Sequence, residues 1–276
     1  MKSSSEITVK PAYEDQFLTL YHGDCREVIP TLDGCFDLVL ADPPYGETCL
    51  SWDKRVEGWE SVCAKASSDN AGLWLWGSLD SLCETRSAMV EHWRRARGVE
   101  IIWRKSASRR RLARISRPNS GDRPSRTHEM AAFFYRGGWH LVHHDCPRVE
   151  VSSDHSDGSV VNRQCMPGSH TSYANDGGQY VYDNSRFLES VVDVPLDPRG
   201  TNIHPTQKPV ALVKRLIEYG CPEGGTVLVP FVGSGSDLLA ARALGRRAVG
   251  CEADGNQVEK TVERLSGQLD LLMAAS

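Results

Sequence analysis

A carboxylate, two prolines and an aromatic ring stand in succession at Asp42-Pro43-Pro44-Tyr45, closing the apolar run Phe36-Asp37-Leu38-Val39-Leu40-Ala41. The run reads as a buried strand of a parallel sheet. Consecutive prolines lack N–H groups and hold φ at about −65°, so the chain must leave the sheet's carboxyl edge in a stiff, extended turn. Open α/β sheets take their ligands at that edge. The Asp42 carboxylate, the freed Pro43 carbonyl and the Tyr45 ring together suit a planar group bearing an NH2. Such an amine is a poor nucleophile, because its lone pair is conjugated into the ring. Two acceptors drawing on its two N–H bonds favour a pyramidal nitrogen, with Asp42 as transition-state acceptor. Tyr45 has two readings: a ring packed on the sheet edge, or a ring stacked on the planar group.

A second constellation, Pro230-Phe231-Val232-Gly233-Ser234-Gly235-Ser236, lies between a predicted strand and a predicted helix. Glycines there allow close backbone approach, and a helix N-terminus offers unpaired N–H groups to an anionic ligand. Glu252 follows Gly233 by 19 residues, at the end of the next strand. A carboxylate at that spacing suits ribose hydroxyls. A tight structural turn would explain the glycines alone; with Glu252 in register, a nucleoside-bearing cofactor is the better reading.

The chain has 276 residues and a net charge of −4, a balance that argues against a nucleic-acid partner until its distribution is considered. Arg104, Lys105, Arg109, Arg110, Arg111, Arg114, Arg117, Arg123 and Arg126 fall within 23 residues, with Asp122 as the only acid among them. This stretch is either a solvated basic loop or an arm that contacts phosphates. The polar N-terminus carries no signal-peptide pattern, and no uncharged run approaches the ~18 apolar residues of a membrane span. Nine scattered cysteines without a Cys-x-x-Cys pair indicate free thiols in a reducing cytoplasm. His140, His143, His144, Cys146, His155, Cys165 and His170 crowd one segment, but their spacings match no standard zinc site, and no metal is expected.

The elements that must position these groups alternate. Strands are predicted at 17–22, 36–41, 72–76, 99–103, 130–135, 226–229 and 247–251, and helices through Val28-Ile29, over 79–97, 210–220 and 236–244, and from Gln257 to Leu272. In the helix over 79–97, Leu79, Leu82, Met89, Val90 and Trp93 form a core stripe. The alternation predicts a parallel α/β sheet. Between Gly138 and about Gly200 periodicity collapses, with short strands at 149–151 and 180–182. A structureless loop of that length is improbable inside a compact domain, so this stretch reads as an inserted recognition module.

Three motifs, Asp42-Pro43-Pro44-Tyr45, His204-Pro205-Thr206-Gln207-Lys208-Pro209 and Phe231-Val232-Gly233-Ser234-Gly235, together resemble the amino-methylating DNA methyltransferases, in the order of the β class. Gly23-Asp24, Trp52-Asp53, Ile102-Trp103-Arg104-Lys105 and His128-Glu129 extend the match, which covers about residues 17–137 and 200–266. The resemblance implies S-adenosylmethionine as methyl donor and a permuted Rossmann-like sheet that the chain enters at its third strand. It implies a division into a catalytic half at 1–137 that includes the basic arm 104–126, a target-recognition region at 138–200 and a cofactor-binding half at 201–276. By the same analogy Asp24 and Cys25 face the cofactor adenine, Glu252 its ribose and Pro230 to Ser236 its methionine part. Thr206 and Lys208 hold the methionine carboxylate, or Lys208 contacts phosphate; Asp42 serves the cofactor as well as the target base. The implied substrate is double-stranded DNA with a flipped base, adenine N6 ahead of cytosine N4. The resemblance alone raises a homodimer and a bacterial or phage cytoplasm, and leaves a restriction partner unknown.

Two departures stand out. Val229 occupies the place where the family usually has an acid, and Ser236-Asp237 replaces a pair of threonines. Beside the DNA methyltransferase reading stand a methyltransferase for RNA or a protein amide, and a non-catalytic DNA-binding subunit for which Val229 is the hint.

Overall fold

The structure, a computed structural model, describes residues 10–47, 53–105, 127–150, 160–162, 179–181, 185–197, 203–204 and 206–274. The chain divides into two compact units, one of Met1–Asp145 with Ser190–Ser276 and one of Cys146–Glu189.

The larger unit is built on a nine-stranded sheet. Its strands are β1 (Tyr13–Glu14), β2 (Leu18–His22), β3 (Phe36–Ala41), β4 (Ser67–Gly77), β5 (Arg94–Lys105), β6 (His128–Tyr135), β11 (Val191–Val194), β12 (Thr226–Val229) and β13 (Arg247–Glu252). In space they run β1-β2-β13-β12-β3-β4-β6-β5-β11. From β2 to β4 every neighbour is parallel. The last two strands in sequence lie between β2 and β3, which is the permuted order. Asp37 of β3 joins the two sequence halves, its carboxylate accepting the Thr226 N–H at 2.8 Å. Helices α1 (Cys25–Val28), α2 (Trp59–Ala66), α3 (Leu79–Met89), α4 (Val210–Gly220), α5 (Ser236–Ala243) and α6 (Gly255–Ala274) connect the strands.

Two expectations are corrected. The sheet is mixed: β4 and β5, joined through α3, run in the same direction, and β6 inserts between them antiparallel to both. Helix α3 ends at Met89, and from Arg94 the chain is strand, since Arg94 and Arg95 pair with Tyr135 and Phe134 of β6. Ladder hydrogen bonds with a buried partner strand outweigh helical propensity in this charged stretch. Leu79 and Val90 are accordingly exposed at 64% each, whereas Met89 and Trp93 are buried. Trp93 lies beyond the helix and donates its indole N–H to the Glu60 carbonyl at 3.1 Å.

Strands β3, β4, β12 and β13 supply a core of buried apolar residues such as Val39, Leu73, Leu228 and Cys251, against Trp59 of α2. On the opposite face Trp74, Phe133 and Tyr219 meet edge to face or tilted, with ring centroids 5.0–5.4 Å apart. Gly250 of β13 carries no side chain because a Cβ there would overlap Cγ2 of Val232, the residue that leads into the Gly233 turn. Gly250→Ala is expected to destabilise the fold by about 1–3 kcal/mol through overpacking, read as a lower midpoint in urea at unchanged slope.

In the smaller unit β7 (Arg148–Glu150) pairs antiparallel with β10 (Ser185–Phe187), and β8 (Val160–Asn162) with β9 (Gln179–Val181). Among the described residues no helix is long and apolar enough to cross a membrane.

Candidate active site

The carboxyl ends of the parallel strands open on a cavity of about 770 Å³. That volume falls in the range of small-molecule sites, roughly 300–1,000 Å³. All four residues of the Asp42–Tyr45 turn line it, as do Asp24 and Cys25 after β2, Thr206 and Lys208 ahead of α4, and Glu252 at the end of β13. Pro230, Phe231, Gly233, Ser234 and Ser236 line it from the turn after β12. Gly235 does not. Its φ of +77° turns the backbone into α5, and a Cβ there would lie 2.8 Å from Thr261 Cγ2.

The Asp42–Tyr45 turn is held from several sides. The Tyr45 hydroxyl donates to Asp42 Oδ1 at 2.6 Å, and Lys208 Nζ donates to Asp42 Oδ2. The Gly46 N–H, at φ +70°, donates to Asp53 Oδ1 at 2.8 Å, and Arg55 Nε donates to the Tyr45 carbonyl at 2.9 Å. The Pro43 carbonyl accepts no hydrogen bond among the described residues. Burial and the adjacent Asp42 carboxylate hold the Tyr45 phenol far above its ordinary range, so it is a donor at any working pH.

Lys208 is 4% exposed. Its ammonium sits 3.1 Å from Glu129 Oε2 and 5.0 Å from the centroid of the Trp76 ring, while Lys105 pairs with the other oxygen of Glu129. Burial alone would push the Lys208 amine down, but Asp42 and Glu129 reverse this and hold it charged above the usual lysine range. Burial likewise opposes ionisation of Glu129, and Lys208 with Lys105 overrides it, keeping the carboxyl below the usual range. Asp42, Glu129, Lys208 and Lys105 therefore form a balanced chain of two negative and two positive charges.

The second turn is equally fixed. The Gly233 N–H donates to Glu252 Oε2 at 2.8 Å and the Asp254 N–H to Oε1 at 2.9 Å. The Gly233 carbonyl accepts from Gln257 Nε2 at 3.0 Å and Thr261 Oγ1 at 2.7 Å. Each Glu252 oxygen retains acceptor capacity for a ribose hydroxyl. Phe231 meets Trp59 edge-on at 5.7 Å. Asp24 caps α1, and the Arg26 guanidinium hydrogen-bonded to it holds its carboxyl low. Burial pushes the Cys25 thiol up to about 12, so it is no nucleophile.

Of the basic arm, Arg104 pairs with Asp193 of β11 and Lys105 with Glu129 of β6. Arg109, Arg110, Arg111, Arg114, Arg117, Arg123 and Arg126 lie outside the described residues, as do His155, Cys165 and His170. Among the described residues no group of three or more His, Cys, Asp or Glu is placed to hold a metal.

Several residues of the site carried no role in the sequence. The Trp76 ring, in the apolar strand β4, faces Lys208. Gln257 and Thr261 are four apart on α6, a helical spacing that signals one face and not its target. Glu129 is the second residue of β6, just ahead of the apolar run Met130 to Phe134, which is a usable signal for a buried, paired acid.

Asp237, in the first turn of α5, is the other such residue. Burial and the nearby Asp42 carboxylate push its carboxyl up to about 7 from 3.8. A raised carboxyl pKa means the folded state holds a proton that the unfolded chain has lost. The associated stability is complete below about pH 3.8 and is lost as pH rises towards 7. Asp237→Asn is thus expected to melt higher than the natural protein at pH 8, and to lose that advantage near pH 4, in thermal scans. Each kcal/mol relieved corresponds to about 2–4 °C for a domain of this size.

Residues 36–263 match the family model described as DNA methylase, the N6/N4 amino-methylating group. The chain belongs to this family. Its members transfer the methyl group of S-adenosylmethionine to an amino group of adenine or cytosine in DNA. This methylase is 26% identical over 282 residues to the type II methyltransferase M.ScaI of Streptomyces caespitosus, covering 95% of this chain and 86% of the relative. It is 24% identical over 296 residues to the type II methyltransferase M2.DpnII of Streptococcus pneumoniae, covering 97% and 96%. Its fold is similar to that of M1.HpyAVI in its SAM complex, with a TM-score of 0.60, 19% identity and coverage of 90% of this chain and 98% of that one. It is also similar to that of the cytosine-N4-specific PvuII DNA methyltransferase, with a TM-score of 0.61, 13% identity and coverage of 93% and 89%.

Proposed function

We propose that this methylase modifies the N6 amino group of adenine at a defined sequence in duplex DNA, with the target base swung out of the stack into the Asp42–Tyr45 turn. The observation that carries the reading is one continuous cavity joining that turn to the Gly233–Glu252 turn. An amine acceptor and a nucleoside pocket share a single volume.

S-adenosylmethionine bound there supplies an electrophilic methyl on a positively charged sulfur. The residues that line the cavity fit it: Glu252 would take the ribose hydroxyls, Asp24 and Cys25 would hold the adenine, and the Pro230–Ser236 turn would hold the methionine part, with Thr206 and Lys208 serving its carboxylate and Asp42 its ammonium. Asp42 and the Pro43 carbonyl then accept the two N–H bonds of the target amine, and Tyr45 stacks on the base, a contact worth roughly 1–3 kcal/mol. As the nitrogen gains its methyl, one N–H proton leaves and Asp42 is the acceptor at hand. In-line placement of both partners supplies much of the remaining acceleration. Residues 138–200 serve as the target-recognition region, and the arm from 104 to 126 tracks phosphates, which makes binding strongly salt-dependent.

The test is modification-sensitive sequencing of DNA from a bacterial host with and without the gene. N6-methyladenine at one recurring sequence is the expected result. N4-methylcytosine there would reassign the base, and an unmodified genome under confirmed expression would refute the proposal.

A further inference from the structure

Asp237 is a carboxylate in the wall of the cavity with no compensating partner. Among the described residues no group other than its own backbone N–H donates a hydrogen bond to it, and no side chain ion-pairs with it. The charges that face it are already committed. Asp42, at the end of β3, and Lys208, ahead of α4, belong to the balanced chain with Glu129 and Lys105. Arg264 of α6 is paired with Asp197 at 3.2 Å and donates to the Ser234 carbonyl at 2.7 Å. His204 is held below its usual range by burial and is neutral near pH 7. Strand β12, paired with the β3 strand that leads to Asp42, ends in the buried, uncharged Val229. Ionised Asp237 therefore leaves this end of the cavity one positive charge short.

We propose that Asp237 is the counter-charge by which this pocket selects the methyl donor over its demethylated product. The inference rests on reading the cavity as the S-adenosylmethionine site. S-adenosylmethionine carries a sulfonium, an ammonium and a carboxylate, a net charge of one positive. Methyl transfer breaks the sulfur–methyl bond, leaves its electron pair on sulfur as a thioether and lowers the net charge to zero. A pocket one positive charge short attracts the first species and not the second. Asp237 is half-buried in the cavity wall, where water screens the effect less than in bulk solvent. An empty or product-filled site lets Asp237 keep its proton near neutrality, and donor binding draws the proton off. Donor affinity should therefore rise with pH across the titration of Asp237, whereas product affinity should not.

The experiment is calorimetric binding of S-adenosylmethionine and S-adenosylhomocysteine to the full-length protein at pH 5.5 and 7.5, for the natural sequence, Asp237→Asn and Asp237→Thr. If the donor lowers the Asp237 pKa by one unit or more, the donor-to-product affinity ratio of the natural protein rises at least about fivefold over this interval. The ratio is expected to be flat in either variant. A ratio independent of pH in the natural protein, or the same rise in a folded variant, would overturn the role of Asp237 while leaving the cavity as the cofactor site. Failure of the natural protein to bind either ligand would instead overturn the reading of the cavity.

Discussion

Asp42→Ala is expected to slow methyl transfer at least about a hundredfold under single-turnover conditions with saturating S-adenosylmethionine and duplex substrate. The prediction follows from what remains when the carboxylate goes. The Pro43 carbonyl would be the only acceptor left for the target amine, and the nitrogen lone pair would stay conjugated with the ring. Fold is not the limiting factor, because Lys208 keeps Glu129 at 3.1 Å and Lys105 keeps the other oxygen of Glu129. Tyr45→Phe is the control. It removes the hydrogen bond to Asp42 Oδ1 and keeps the ring, so its loss should be near the roughly 1 kcal/mol of one hydrogen bond, or about fivefold. A rate for Asp42→Ala within tenfold of the natural protein would remove Asp42 from the chemistry.

The parts of the site that were legible in the sequence are those written in local backbone chemistry. Two prolines forced the exit from β3 at Asp42, and glycines marked the turn after β12. The apolar runs 36–41 and 226–229 appear as β3 and β12, within a residue of their expected ends. What brings them side by side is register, Leu38 against Val227 and Val39 against Leu228, and no local signal encodes pairing across that span. The same limit hid the charge chain: Lys208 and Asp42 are 166 residues apart. The residues beyond Met89 failed for the opposite reason, since a local signal was present and misleading. Glu91 to Arg97 has helical composition, yet β6 offered Arg94 and Arg95 a ladder that an isolated helix could not match. Asp237 was visible only as an unusual residue type. Its meaning depends on Asp42, which approaches it from another strand.

Lys208→Met should cost about 3–5 kcal/mol of stability, the usual cost of removing one member of a buried ion pair. Methionine fills a similar volume, so the cost is electrostatic rather than a cavity. Asp42 loses its charged donor, and Glu129 keeps Lys105 alone. Glu129, which Lys208 and Lys105 together hold below its usual range, is then left buried with Lys105 as its remaining cation, and burial pushes its carboxyl back up. This gives the loss a direction in pH. With Lys208 in place, Glu129 is held below its usual range, so its contribution is present above the unfolded carboxyl pKa and disappears as pH falls through the folded value. The variant lacks that contribution. Its deficit against the natural protein should therefore be widest near pH 7 and shrink towards pH 4, measured by urea denaturation at both. A deficit that does not change with pH would mean that packing against the Trp76 ring, rather than the charge chain, is what Lys208 contributes.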